Sequence, residues 1–439
     1  MSTSVCEIKP TETNAGEIKP TETKTPPAEL ATIFRSLGSD FIEAAKLGPR
    51  QTQAFRNIVE CRTAAKGGHT WRCSSCSLIV PQYNSCLDRH CPKCQGKARF
   101  KWVADRMKDV VNTSYFHVVF TLPHELNLLI SLYPKLTLDL LFKAVSQTLL
   151  AFGRDPKHLG GELGMITILH TWTQKLDLHY HLHCIIPGGA LSNDGTHWIP
   201  CKYESYLFPE FALAKTFRRL YWHGSKDLTQ GKPGTENKIP VKFRGLKDLL
   251  LLEAALEIPL SQRANLEEYV QTLEDRLYKK PWVVYAKRAF GGPAQVIKYL
   301  GNYTHRVAIS NNRIVSHVNG MVTISYKDRK NENRRRTLSL PEKVFASRFL
   351  QHVLPTRFMK IRSYGFLANR KKKKRVQQIH SILGQPDLSE CQVQAPAEAE
   401  ESGSSNKICP ECKKPTLEYK RPISKLVRRW VQILIWDSS

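Results

Sequence analysis

Two cysteine pairs, Cys73-Ser-Ser-Cys76 and Cys91-Pro-Lys-Cys94, stand 14 residues apart, and this spacing constrains the fold before any helix or strand is assigned. Two tight C-x-x-C turns at that separation are close to what one tetrahedral S4 zinc site needs. The competing reading is a set of redox or merely buried thiols. Cys61, His69, Cys86 and His90 surround the pairs, enough ligands for a second site of Cys2His2 type. Each of these four has an alternative use in satisfying a turn or contacting a phosphate. The chain carries 12 cysteines and starts without a hydrophobic signal region, so a reducing compartment that leaves thiolates free for structural zinc is expected. Cys409-Pro-Glu-Cys412 has no second pair after it. Half a site must borrow ligands, dimerise around a metal, or stand as a remnant.

The 439 residues include 66 Lys and Arg against 39 Asp and Glu, a formal net charge of +27. An excess of this size repels the compact chain and points to a polyanionic partner, nucleic acid before an anionic membrane surface. Candidate DNA contacts are Arg72, Arg89 and Lys93 beside the aromatics of the zinc segment, Lys298 and Arg306, Arg334-Arg335-Arg336, and Arg370-Lys371-Lys372. Apolar runs such as Leu249 to Leu252 fall short of a bilayer span, and the chain is read as cytoplasmic and nucleoid-associated.

Residues 1–28 repeat E-I-K-P-T-E-T and read as a disordered tail. Residues 29–108 read as a helix, carried by Leu30, Ile33, Phe34, Leu37, Phe41 and Ile42, followed by the zinc-binding domain; a further helix is expected over 96–111. The segment 112–330 carries strands over Tyr115–Leu122, Met165–Thr173 and Leu178–Ile186, with a helical stretch over 126–152. A helical insertion at about 205–280 holds helices over 209–222 and 244–277. After it come a strand over 282–287, a helix over 293–303, and strands near 306–310 and 322–326. A basic region (331–385), a flexible linker (386–406) and the C-x-x-C tail (407–439) complete the chain.

The run H-Y-H-L-H-C-I-I carries the chemistry. On a strand its period of two puts His179, His181 and His183 on one face and Leu178, Tyr180, Leu182 and Cys184 on the other. Neighbours on one face have Cα atoms about 7 Å apart, so His181 and His183 can reach one metal ion. His179 stands at the edge of the same face. A turn at Lys175-Leu176 that sets Gln174 against Asp177 brings His170 across from His181. Tyr299 and Tyr303 are four residues apart, which on a helix projects both phenols from one face about 6 Å apart along the axis. Amphipathic packing is the plainer account of that tyrosine pair.

The ordered motifs resemble those of the two-tyrosine HUH rolling-circle transposases of the insertion sequence 91 type. They are C-R-T-A-A-K-G-G-H and Y-N-S-C-L-D-R-H-C-P-K-C, H-V-V-F-T-L-P-H-E-L from His117, L-H-T-W-T-Q-K-L-D-L-H-Y-H-L-H-C-I-I-P-G-G from Leu169, the segment from Phe290 through Asn311, and R-S-Y-G-F-L-A-N-R from Arg362. The resemblance implies an α+β fold, an antiparallel ferredoxin/RRM-like HUH endonuclease sheet backed by helices and preceded by a small zinc-binding domain. It also implies Mg2+ or Mn2+ on His181 and His183, Tyr299 and Tyr303 as nucleophiles, and cleavage and joining of single-stranded DNA at element ends. Relatives carry a basic residue where Asn302 stands and glycine where Lys413 stands. Two other functions compete: a zinc-dependent DNA-binding protein or repressor, which leaves the histidine strand unused, and a small-molecule metallohydrolase, which leaves +27 unexplained.

Overall fold

The computed structural model describes residues 28–94, 102–103, 105–106, 108–203, 205–225, 243–257, 263–288, 307–328, 331–384 and 408–424. The N-terminal helical stretch is three helices, α1 (Leu30–Leu37), α2 (Asp40–Ala44) and α3 (Pro49–Glu60). Gly38, at φ 65, ends α1 where a side chain would be strained, and Pro49 opens α3 at the position that needs no amide donor. The zinc segment that follows is a hairpin of β1 (Gly68–Cys73) and β2 (Ile79–Tyr83).

The central sheet has five strands, all antiparallel, in the order β12-β4-β5-β3-β8. These are β3 (Tyr115–Thr121), β4 (Gly164–Trp172), β5 (Leu178–Pro187), β8 (Val284–Arg288) and β12 (Ile361–Gly365). A short ribbon of β6 (Gly189–Leu191) and β7 (Trp198–Pro200) follows β5. One face of the sheet presents Phe116, Val118, Phe120, Leu169, Leu182 and Cys184 to a core shared with helices α4 (Asn127–Leu132), α5 (Pro134–Arg154) and α6 (Glu210–His223). Each of these large apolar side chains contributes about 1.5–3 kcal/mol by leaving water. α5 is long and apolar enough by composition to cross a bilayer, but 72% of its most apolar stretch is buried in this core, which accounts for its sequence. The stretch expected as one helix over 244–277 is two, α7 (Leu246–Glu257) and α8 (Arg263–Lys279). The antiparallel sheet backed by helices agrees with the α+β expectation.

A second, three-stranded sheet in the order β11-β10-β9 comprises β9 (Ile314–Val318), β10 (Met321–Asp328) and β11 (Arg334–Pro341). The strand expected at 306–310 is not there: residues 307–310 are irregular, and the strand begins at Ile314. A 3-10 turn at Asn311–Arg313 precedes it, and the turn Asn319-Gly320, whose φ values of 50 and 69 suit a two-residue hairpin, pairs Val318 with Met321. This sheet and helix α9 (Glu342–Leu350) share a core with α1 and α3, in which Phe34 stacks on Phe55 at 4.6 Å and meets Phe349 at 5.7 Å. Helix α10 (Lys372–Ile382) packs Val376 and Ile379 with Ile166, Ile168 and Ile185 on the opposite face of the central sheet. The last strand, β13 (Leu417–Ile423), returns to pair with β1. The helices expected over 96–111 and 293–303 lie wholly or partly outside the described residues.

Gly365 joins β12 to the loop before α10 at φ 63, and a Cβ there would collide with the Leu163 carbonyl oxygen. Gly365→Ala is expected to cost roughly 3 kcal/mol of unfolding free energy through strain and collision together. Urea unfolding of the two proteins measures it, and an unchanged midpoint would contradict the fit.

Candidate metal centre

His170, His181 and His183 bring one ring nitrogen each to within 4.8 Å of one another, and all three are buried. The geometry is built by the β4–β5 hairpin. Register pairs His170 with His181 and Ile168 with His183, so these four share a face, while Leu169 and Leu182 point into the core. The turn differs by one residue from the sequence reading, because Thr173, not Gln174, bonds to Asp177, at 3.0 Å. A bulge between His170 and Trp172 absorbs the difference. His179 is exposed, its ring centroid 4.7 Å from that of His181, and its ligand atoms are not in the three-histidine group.

Hydrogen bonds set the rings. His181 Nδ1 lies 2.8 Å from the His179 carbonyl, which can only accept, so Nδ1 is the donor and, in the neutral ring, Nε2 is the nitrogen left for a ligand. His183 Nδ1 lies 2.8 Å from His117 Nε2, and the two rings stack at 5.0 Å. His117, on β3, went unnoticed as a site residue in the sequence; its signal was its place in H-V-V-F-T-L, facing the same side as His183. Burial lowers the His117 imidazole to about 4, so it is neutral at physiological pH. The ring of His170 stacks on Trp172 at 4.9 Å. Among the described residues no carboxylate joins the group.

Beside this centre a small cavity is lined by Arg89 and His90 of the zinc segment, Thr171 and Trp172 of β4, and His352 and Lys360. Burial, reinforced by Arg89, lowers Lys360 to about 8. Arg89 donates to the Phe358 carbonyl and is itself lowered, first by burial and then by Arg50. Asp88 anchors this corner: its carboxylate accepts from Arg50 at 2.9 Å, Asn57 at 3.1 Å and the His90 amide at 3.0 Å. Burial works against the Asp88 charge, but hydrogen bonds from His90 and Arg50 outweigh it and hold the carboxyl well below its usual range.

The cysteines pair otherwise than their spacing suggests. Cys61, Cys86, Cys91 and Cys94 form one group. Cys73 and Cys76 stand apart from it, gathered with Cys409 and Cys412. The reason is the hairpin: six-residue β1 carries Cys73 about 20 Å from its base, and β2 brings the chain back to Cys61 before Cys86 is reached. His69 and His90 are not in either group. His69 packs beside Tyr419 at 5.7 Å, and His90 bonds Asp88 and the Leu354 amide. In the first group the Cys61–Cys94 and Cys86–Cys94 sulfurs lie 3.5 and 3.6 Å apart. Sulfurs about 2.3 Å from a tetrahedral zinc lie about 3.8 Å from one another, so the group fits structural Zn2+. Hydrogen bonds among the four thiols lower Cys94 and raise Cys86 and Cys91.

Of the expected DNA contacts, Arg72, Arg335 and Arg370 are exposed; Arg334 and Arg336 are exposed beside Glu332 and Asp328. Lys371 is exposed at the start of α10. Lys93 and Lys372 are held in ion pairs with Glu29 at 2.5 Å and Asp109 at 2.9 Å. Tyr299, Tyr303, Lys298 and Arg306 lie outside the described residues.

His352 ties the hairpin turn to α9: its ring bonds Thr171 Oγ1 at 3.2 Å and the Leu176 carbonyl at 3.1 Å, and burial lowers it from 6.5 to about 4. Because the folded pKa is depressed, the unfolded chain takes up a proton first as pH falls. Stability at this site is complete above pH 6.5 and lost progressively down to about pH 4, by about 3 kcal/mol in all. His352→Asn is expected to flatten the pH dependence of unfolding over that window, measured by urea denaturation at pH 7 and pH 4.5; an unchanged slope would contradict the assignment.

Comparison with known proteins agrees with this architecture. A family model described as "Transposase zinc-binding domain" matches residues 33–122, and one described as "Putative transposase" matches residues 164–375, spanning the histidine hairpin through α10's start. The chain is 40% identical over 391 residues to "Putative transposase y4qJ" of Sinorhizobium fredii (strain NBRC 101917 / NGR234), covering 88% of this chain and 92% of that one. It is 25% identical over 350 residues to the "Transposase for insertion sequence element IS801" of Pseudomonas savastanoi pv. phaseolicola, covering 78% and 77%. No solved structure matches. The zinc-type domain, the hairpin and the near full-length likeness place this chain in the insertion sequence 91 type transposase family, with an N-terminal zinc-binding domain.

Proposed function

We propose that the chain is a metal-dependent endonuclease and strand transferase that cuts and joins single-stranded DNA at insertion-sequence ends through a 5′-phosphotyrosine. The observation that carries this reading is the convergence of His170, His181 and His183 on one buried face of the sheet. A structural role does not need three imidazoles with their nitrogens aimed at a common point. A divalent ion there would polarise the scissile phosphate. Three neutral imidazoles suit Mn2+ better than Mg2+, which prefers oxygen ligands.

The chain's own residues do the rest. Tyr299 or Tyr303 supplies the nucleophile: the phenol oxygen attacks phosphorus in line, the P–O3′ bond breaks, and the 3′-oxygen leaves and takes up a proton. The phosphotyrosine keeps the energy of the broken bond. A second 3′-hydroxyl reverses the step without ATP, and the other tyrosine allows another cut meanwhile. Lys298 and Arg306, near the tyrosines in sequence, favour the phenolate over a phenol whose ordinary pKa is about 10. The exposed arginines Arg72, Arg334, Arg335, Arg336 and Arg370, with Lys371, engage the phosphate backbone, and Arg89, Lys93 and Lys372 order the surfaces around them.

Two outcomes check the reading. Wild-type protein incubated with Mn2+ and a single-stranded oligonucleotide spanning an element end is expected to give a denaturation-resistant DNA adduct. A Tyr299→Phe/Tyr303→Phe protein is expected to give none, and adduct at the wild-type level in that protein would end the proposal. Salt-sensitive DNA binding that survives loss of His181 and His183, with no cleavage in any divalent metal, would favour a non-catalytic DNA-binding protein. Separately, His117→Phe removes the hydrogen bond that orients His183 and is expected to raise the Mn2+ concentration for half-maximal cleavage by about 10–100-fold.

A further inference from the structure

Cys409 and Cys412 reach the N-terminal hairpin from 333 and 339 residues away in sequence. β13 pairs antiparallel with β1, matching Gly68 with Ile423 and Cys73 with Leu417, so the two ends of the chain form one sheet in the order β13-β1-β2. The two knuckles have the same local build. Ser77 and Lys413, each following the second cysteine, adopt left-handed φ of 62 and 58. Their amides donate to the Cys73 and Cys409 carbonyls at 2.9 and 3.0 Å. The Cys73 and Cys409 amides donate to the Leu78 and Lys414 carbonyls at 2.9 and 2.8 Å. The Cys76 amide also donates to Cys73 Sγ at 3.4 Å.

The sulfurs meet across the knuckles: Cys73 to Cys412 at 3.6 Å and Cys76 to Cys409 at 3.6 Å, with all four within 4.8 Å of one another. Those separations fit the roughly 3.8 Å edge of a tetrahedral S4 zinc site. Among the described residues the sheet has little apolar material to hold it together. Its described cluster is Cys73, Cys409 and Leu417, with Trp71, Leu78, Val80 and Cys412 only partly buried against them, less than a small unit needs without a staple. We infer that Cys73, Cys76, Cys409 and Cys412 hold a second structural zinc that clasps the C-terminal segment to the N-terminal hairpin. Neither end can build the ribbon alone, because each supplies two of four ligands. A chain that stops before Cys409 therefore loses metal from a hairpin near its beginning. The inference does not depend on the cleavage reaction.

Zinc content of the full-length protein, purified under reducing conditions, tests this, with a tetrathiolate Co2+ absorption band as a second readout. The wild type is expected to hold two zinc ions per chain. Cys73→Ser/Cys76→Ser and Cys409→Ser/Cys412→Ser are each expected to hold one, and the fourfold variant still one. The zinc left on Cys61, Cys86, Cys91 and Cys94 shows that each variant has kept its fold. One zinc in the wild type, two in the Cys409→Ser/Cys412→Ser protein, or none in the fourfold variant would overturn the clasp. So would a wild-type chain that holds these four cysteines as two disulfides.

Discussion

A single extra residue in β5, where His179 and Tyr180 stand against Thr171 alone, decides whether His170 shares a face with His181 and His183. Strand side chains alternate, so a one-residue slip moves every side chain to the other face of the sheet. Beyond the bulge, Trp172 pairs with Leu178. Continued without the bulge, that register would set Leu169 against His181 and turn His170 toward the aliphatic core. The bulge between His170 and Trp172 instead brings His170 opposite His181. The buried three-imidazole face exists because the hairpin is irregular at this one point.

The rest of the molecule holds that irregularity in place. Leu176, at the turn, is fully buried among α1, α3, α9 and the β9–β11 sheet, at φ 66. Its carbonyl accepts from Gln351 at 2.8 Å, and Arg348 bonds Asp177 at 2.9 Å. Arg313, in the turn just before β9, reaches the Gln174 carbonyl. The N-terminal helices and the small sheet thus form the socket into which the histidine hairpin plugs its turn. His117 from β3 and Trp172 from β4 then fix the rings from either side. On the other face, α5 and α6 supply the hydrophobic free energy that keeps β4 and β5 in register.

Much of this was legible in the residues, and the failures have physical causes. The H-Y-H-L-H alternation assigned the faces of β5 because period two is a local property of strands. The pairing of His170 with His181 was also anticipated, although through a turn one residue away from the real one; bulges leave little trace in a single strand's sequence. The cysteine spacing misled for a different reason. Cys73-Ser-Ser-Cys76 sits at the tip of a hairpin and Cys91-Pro-Lys-Cys94 at its base, and the pair that completes the tip comes from the far end of the chain. Sequence distance cannot show such a partner. Val318-Asn319-Gly320-Met321, by contrast, carried a readable hairpin signal that places β9 after residue 310.

The central claim is that the histidine face is a divalent-metal centre. Anomalous scattering from crystals of the full-length protein soaked in Mn2+ tests it most directly. The account predicts a single strong peak on that face, within bonding distance of nitrogens from His170, His181 and His183. Mn2+ bound elsewhere with these three rings left bare would contradict it.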